Sequence, residues 1–277
     1  MIKKTKYKVL PIIKPSVAIN AEYQKALLKL IRQMRDSINY YCLAAYKPAI
    51  EEIKRADRQE GVHDAKPTPS EIMAKLKRVV SAIRKRYQKK FNHLAGKLPQ
   101  AIVDKINQEV SRRIKNTLIK EMEVDFKWTP KLKLALKAAV QENVVLIKSI
   151  PQEYLKRVEF DINESVAQGR NMSELVEKLN KKAYSITRRR AITIAYDQVN
   201  KITESVDRQR KMELGLNYAI WRHSNIPQEP RISHVHADGK EFDVRKGCYI
   251  DGEYIQPKQK INCNCSAQTI LKFDTGR

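Results

Sequence analysis

Apolar positions recur at helical spacing over most of the chain. Between Asn20 and about residue 57, Leu27, Leu28, Leu30, Ile31, Met34, Ile38, Tyr41 and Leu43 fall near a 3.6-residue period, which predicts a long helix. Asn20 is its expected N-cap and Pro48 a bend or break. A second helix is predicted from Ser70, with Ile72, Leu76, Val79, Val80 and Ile83 on one side. A break at Gly96 to Pro99 should separate it from a third, where Ile102, Ile106, Val110, Ile114 and Leu118 keep four-residue steps. Two further helices are expected on either side of Pro151, the second closed by Gly169 as a C-cap. A short one should follow from Ser173, and a longer one from about residue 185 to Gly215.

Beyond residue 215 the pattern shortens. NYAIWRH, EFDVRKG, YIDGEYIQ and SAQTILKF read as strands, and Asp251-Gly252 suits a tight primed turn between two of them. Residues 1–19, with Pro11 and Pro15 and the basic Lys3, Lys4, Lys6 and Lys8, read as an extended arm. Residues 57–69 carry Gly61, Pro67 and Pro69 and read as a loop. The expected fold is α+β, mainly α: long helices through about residue 215, then a small C-terminal β-rich module. The expected division is an arm at 1–19, a basic helical region at 20–139, and a C-terminal domain at 140–277, its helices at 140–215 and its β-rich module at 216–277.

With 277 residues, 42% of them hydrophobic, the chain can bury a core without a disulfide framework. Its four cysteines are unevenly placed, and the start MIKKTKYKVLPIIKPSV lacks the apolar run of a signal peptide, so a reducing cytoplasm is the expected site of synthesis. No segment approaches the roughly 18 apolar residues of a membrane span, so no membrane partner is expected.

The formal charge of +24 points instead to an anionic partner. The best candidates for contacting DNA are Lys75, Arg78, Arg84, Lys85, Arg86, Lys89 and Lys90 on the second predicted helix. Tyr87 and Phe91 lie among them, either to stack on bases or to complete the core stripe. A solvated Lys-rich face is the plainer alternative. The run Arg188, Arg189, Arg190 is a second basic cluster.

Phosphate-binding glycine loops, GxGxxG and GxSxG are absent, and the acidic residues form no metal-binding cluster of the nuclease type. The chemistry-bearing residues gather near the C-terminus. His234, Cys263 and Cys265 could give three ligands of a structural zinc site, with Cys248, His236 or Asp238 as the fourth. In an extended strand His234 and His236 would share a face, as would Cys263 and Cys265. Cys-x-Cys is not the usual Cys-x₂-Cys knuckle, so buried free thiols with structural histidines remain open, as does a nucleophilic Cys263 or Cys265 activated by His234. No cofactor follows with certainty.

In VAQGRNMSELVEKL, in RRAITIAYDQVN with Arg190 and Ala191, and in the ordered series Trp221, Arg231, His234, Asp238, Gly239, Pro257, Asn262, Cys263 and Cys265, the chain resembles the phage Mu F-like head morphogenesis family. The resemblance covers about residues 140–270. Asp197 and Gln198 stand where the family often has Thr-Glu, so no catalytic role is expected at that position.

The resemblance implies a low-copy minor head protein in the virion, at the portal vertex and capsid interior. Its implied partners are the portal protein, the major capsid or scaffold protein, and double-stranded DNA bound without sequence preference. Two alternatives stand beside it. One is an enzyme of ADP-ribosyltransferase type or a toxin-related domain, for which Glu241 and Glu253 are the nearby carboxylates. The other is a zinc-containing DNA-binding protein.

Overall fold

A computed structural model describes residues 7–58, 68–118, 126–167, 172–224 and 230–272. The element order is β1 (Tyr7–Val9), α1 (Val17–Arg58), α2 (Pro69–Leu118), α3 (Pro130–Ala167), α4 (Met172–Glu177), a π-helical segment (Lys178–Ala183), α5 (Tyr184–Glu213), β2 (Tyr218–Arg222), α6 (Ile232–His236), β3 (Glu241–Asp243), β4 (Cys248–Ile250), β5 (Glu253–Ile255) and β6 (Ser266–Lys272). This is the expected mainly helical chain with small antiparallel strands near its end. No helix among the described residues is long and apolar enough to cross a membrane.

The helices are longer than the punctuation of the sequence suggests. α2 runs without interruption through Gly96 and Pro99, and α3 through Pro151, so the breaks expected there do not occur. Buried side chains explain the continuity: Ala95, Ile102 and Val103 bracket the first site, and Ile150, Tyr154 and Leu155 the second. Each proline removes one backbone hydrogen bond, at a cost of about 3 kcal/mol, and apolar burial on both flanks exceeds it. Pro48 likewise lies inside α1.

The helix starts also differ by a few residues. Ser16, not Asn20, caps α1, where Asn20 N–H donates to the Ser16 carbonyl at 3.1 Å. Thr68 caps α2 through a reciprocal box: Glu71 N–H donates to Thr68 Oγ1 at 3.2 Å, and Thr68 N–H to Glu71 Oε2 at 2.8 Å. These bonds hold the Glu71 carboxyl below its ordinary range. The Gly169 cap, residues 1–6 of the arm and residues 59–67 of the loop lie outside the described residues.

The chain divides into two compact units, and α1, α2, α3 and α5 each give residues to both. One unit, Tyr23–Leu98 with Asn143–Ile194, is helical. Its α1 stripe is Tyr23, Leu27, Ile31, Met34, Ile38, Cys42 and Ala45, all buried. Steps of four, four and three average about 3.7 residues, close to the natural period of a straight helix, so the stripe stays on one side. Cys42 fills the place expected for Tyr41, which is exposed. From α2 come Leu76, Val80, Ile83, Tyr87 and Phe91, and from α3 Ile147, Tyr154, Leu155 and Val158. Tyr23 donates to Asn143 Oδ1 at 2.5 Å, and Tyr87 to the Gln33 carbonyl at 2.6 Å, so both buried hydroxyls are satisfied.

The other unit comprises residues 1–22, Pro99–Glu142 and Ala195–Arg277. Its four-stranded antiparallel sheet has the order β1-β6-β2-β3, and β4 and β5 form a separate hairpin. Tyr7 faces Lys272 and Val9 faces Ile270, so the end of the arm adds a strand to β6. At the hairpin turn, Asp251 and Gly252 have φ of 52° and 82°, the two positive values a type I′ turn requires. Behind the sheet lies a cluster of Ala219, Trp221, Ala237, Phe242, Val244, Cys248, Ile250, Ile255, Cys263, Cys265 and Ala267.

Candidate functional site

The histidine and cysteine motifs meet at the edge of that cluster. SHVHADG is not a strand: Ile232–His236 is one short helix, capped by Ala237 N–H to the Ser233 carbonyl at 3.1 Å. Residues two apart on a helix point in nearly opposite directions, so His234 is buried while His236 is exposed. Asp238 is exposed too, and its Oδ1 accepts the His223 backbone N–H at 2.8 Å. Gly239 follows with φ of 81°, turning the chain so that its N–H reaches the Trp221 carbonyl at 2.9 Å.

His234 Nδ1 lies 3.5 Å from Cys263 Sγ and 3.6 Å from Cys265 Sγ. The three ligand atoms all fall within 4.8 Å of one another, and all three side chains are buried. Trp221 stands edge-on to the imidazole at 5.3 Å between ring centroids, walling one side. The Cys263 and Cys265 thiols share a hydrogen bond that lowers Cys263 to about 5 and pushes Cys265 up, with burial opposing the first shift and adding to the second. Cys248 opens β4 in the same apolar cluster but does not belong to the His234–Cys263–Cys265 group. Burial raises its thiol, as it raises Cys42 to about 12.

The two cysteines are set by a strap that sequence reasoning did not anchor. Asn262 has φ of 59°, and its N–H donates to Asp197 Oδ1 at 3.2 Å. Asn264 Oδ1 accepts from Tyr196 at 2.8 Å, and the Arg231 guanidinium donates to the Ile261 carbonyl at 3.0 Å. Asp197, which stands in place of the expected Thr, is thus a structural anchor held by Lys201 at 3.2 Å. Its signal in the sequence is a carboxylate set between Ala195 and Val199 in the predicted helix. The other motif residues of α5 pack or pair within the helical unit: Ala191 is fully buried, and Arg190 binds Glu153 at 2.9 Å and Ser149 at 3.0 Å.

A second group was not read from the sequence. Glu204 and Asp207 on α5 are buried, and so are Lys211 and Lys258. Desolvation pushes Glu204 up to about 7 against the pull of Lys258, and burial also raises Asp207 although Lys211 Nζ is 2.7 Å away. Glu204, Arg208 and Lys258 line a cleft of about 420 Å³ with Glu142, Lys201 and Gln256. Glu241 and Glu253, the carboxylates expected for a transferase, lie apart from it: both are exposed, and Glu253 pairs with Lys260.

The basic residues of α2 separate into two sets. Lys75, Arg78, Lys85, Arg86 and Lys89 are exposed. Arg84 is committed to Glu159 at 2.7 Å, and Lys90 sits 5.0 Å over the Tyr87 ring. Tyr87 and Phe91 are core residues, so neither is available to stack on a base.

Residues 156–268 match the model of a family described as phage Mu protein F like protein. An uncharacterized protein of Haemophilus influenzae is 27% identical over 163 residues, 59% of this chain and 35% of the relative. The chain therefore spans about a third of that relative's length. No solved structure matches the chain. The matched residues 156–268, which are similar to the phage Mu F-like family, hold α5, the sheet strands β2 and β3 and the His234–Cys263–Cys265 cluster.

Proposed function

We propose that this is a minor head protein of a phage particle, docked at the portal vertex on the capsid interior and bound to packaged DNA without sequence preference. The family match carries the head assignment and supports a structural role over an enzymatic one. Portal, major capsid or scaffold protein are the protein partners this reading calls for.

The DNA contact rests on the basic face of α2. At 100° per residue, Lys75, Arg78, Lys85 and Lys89 fall within an arc of about 80°, opposite the Leu76–Val80–Tyr87 stripe. None of the four makes an ion pair among the described residues. They run about 21 Å along the helix, enough to follow several phosphates of one duplex. Such a row neutralises a backbone and reads no bases.

Binding of random duplex DNA across a salt series tests this. Reversing Lys75, Arg78, Lys85 and Lys89 to Glu should reduce the slope of log K against log salt by up to about 3.6, at roughly 0.9 for each phosphate no longer neutralised. An unchanged slope would reject the α2 face. Co-sedimentation with portal protein is expected as well, and absence of the chain from purified particles would sink the head assignment.

A further inference from the structure

We propose that His234, Cys263 and Cys265 bind one zinc ion, with Cys248 taking no part, and that the ion clamps the C-terminal strap to α6. Geometry carries the proposal. With Zn–N of about 2.0–2.1 Å and Zn–S of about 2.3 Å, a tetrahedral N···S edge is about 3.6 Å. The two observed Nδ1···Sγ separations, 3.5 and 3.6 Å, match that edge. An imidazole and two sulfurs brought together by chance need not adopt it on both sides of one nitrogen.

Charge also fits. Both sulfurs bind as thiolates, any proton still on them leaving to solvent, and two thiolates balance the dication, so the centre is neutral overall. A neutral centre suits a cluster walled by Trp221, Ala237 and Phe242, where an unbalanced ion would cost several kcal/mol. No electron is transferred, and no co-reactant is needed.

Nearby backbone groups favour charged sulfur. The backbone amides of Lys258 and Cys265 favour the charged form of Cys263, and that of Ser224 favours the charged form of Cys265. Trp221 Nε1 is buried without a hydrogen bond of good geometry and acts on the Cys265 sulfur from a less favourable position. Donors around sulfur are what metal-bound thiolates require and neutral thiols do not. The strap reaches this arrangement through two non-glycine residues with positive φ, Lys258 at 63° and Asn262 at 59°. Three side chains fill three corners, which leaves the fourth to a small exogenous ligand such as water.

The test is the metal content of the purified full chain after incubation with zinc and gel filtration into metal-free buffer. One zinc per chain is expected, retained by Cys248→Ser and lost by His234→Ala and Cys263→Ser, with affinity at least tenfold lower. Cobalt should replace zinc and give a thiolate-to-cobalt absorption that Cys265→Ser abolishes. Should the variants fail to fold, the wild-type chain decides: a chelator should lower its melting temperature, and zinc alone should restore it. A folded wild-type chain that holds no zinc and keeps both thiols open to alkylation would overturn the proposal. So would a Cys263–Cys265 disulfide by mass spectrometry, or loss of zinc on replacing Cys248.

Discussion

Glu204 sits buried on α5, facing Lys258, Arg208 and Lys211 and crowded by Asp207. Its folded value of about 7 lies above its unfolded one near 4.5, so the folded state holds the proton more tightly between them. The stability tied to that proton is complete below about pH 4.5 and is lost as pH rises through 7. Glu204→Gln removes the titration, so its stability relative to wild type should rise between pH 5 and pH 8, by at most about 3 kcal/mol. Urea unfolding of both proteins at the two pH values measures the change. A gap that is constant or shrinks would show that the carboxyl is charged and well paired at both.

Glycine gives a second residue-scale contrast. A Cβ on Gly247 would lie 2.7 Å from the Ile255 carbonyl oxygen, a backbone atom that cannot rotate away, whereas one on Gly252 meets nothing. Both have positive φ. Gly252→Ala should therefore cost about 1 kcal/mol from backbone conformation alone, and Gly247→Ala at least about twice that, seen as the larger fall in melting temperature. At this scale the sequence disclosed the Asp251-Gly252 turn, because two adjacent positive-φ positions need that dipeptide. It did not disclose Gly247, whose constraint comes from a carbonyl eight residues away.

Among elements, the sequence was most legible where burial repeats and least where a breaker competes with it. The stripes of α1 and α2 and the strands of the C-terminal module follow from spacing alone. Gly96-Lys97-Leu98-Pro99 and Ile150-Pro151 looked like boundaries because local preference is visible in a sequence, while packing on the far side of a helix is not. Pro99→Ala should therefore stabilise the protein by about 1–3 kcal/mol, since it restores an N–H donor to the Ala95 carbonyl and α2 already has helical geometry there. A rise in melting temperature checks this, and a fall would mean that the proline sets a bend the core requires. The His234 motif was misread for a related reason. Its two histidines suit one face of a strand equally well, and only the turn into α6 separates the buried ring from the exposed one.

For the whole molecule the excess of 55 Lys and Arg over 31 Asp and Glu opposes compactness, since like charges are held closer in the folded state than in the unfolded one. Lys85 and Lys89, and Arg86 and Lys90, are like-charged pairs four apart on α2, an arrangement unfavourable to an isolated helix. A row that weakens the free protein is expected where an anionic partner supplies the missing charge. Each Lys or Arg reversed to Glu lowers the net charge of +24 by two. Reversing Lys85 also turns one repulsive pair into a favourable Glu-to-Lys pair. The free Lys85→Glu protein at low salt should therefore melt a few degrees higher than wild type, by about 2–4 °C. The gain should fade as added salt screens the repulsion. With duplex DNA present the order should reverse, because wild type gains more from binding than the variant does. Melting curves with and without DNA at two salt concentrations test both halves. A variant less stable than wild type without DNA would mean that Lys85 is held by contacts within the protein, and the charge on α2 would then need no partner to explain it.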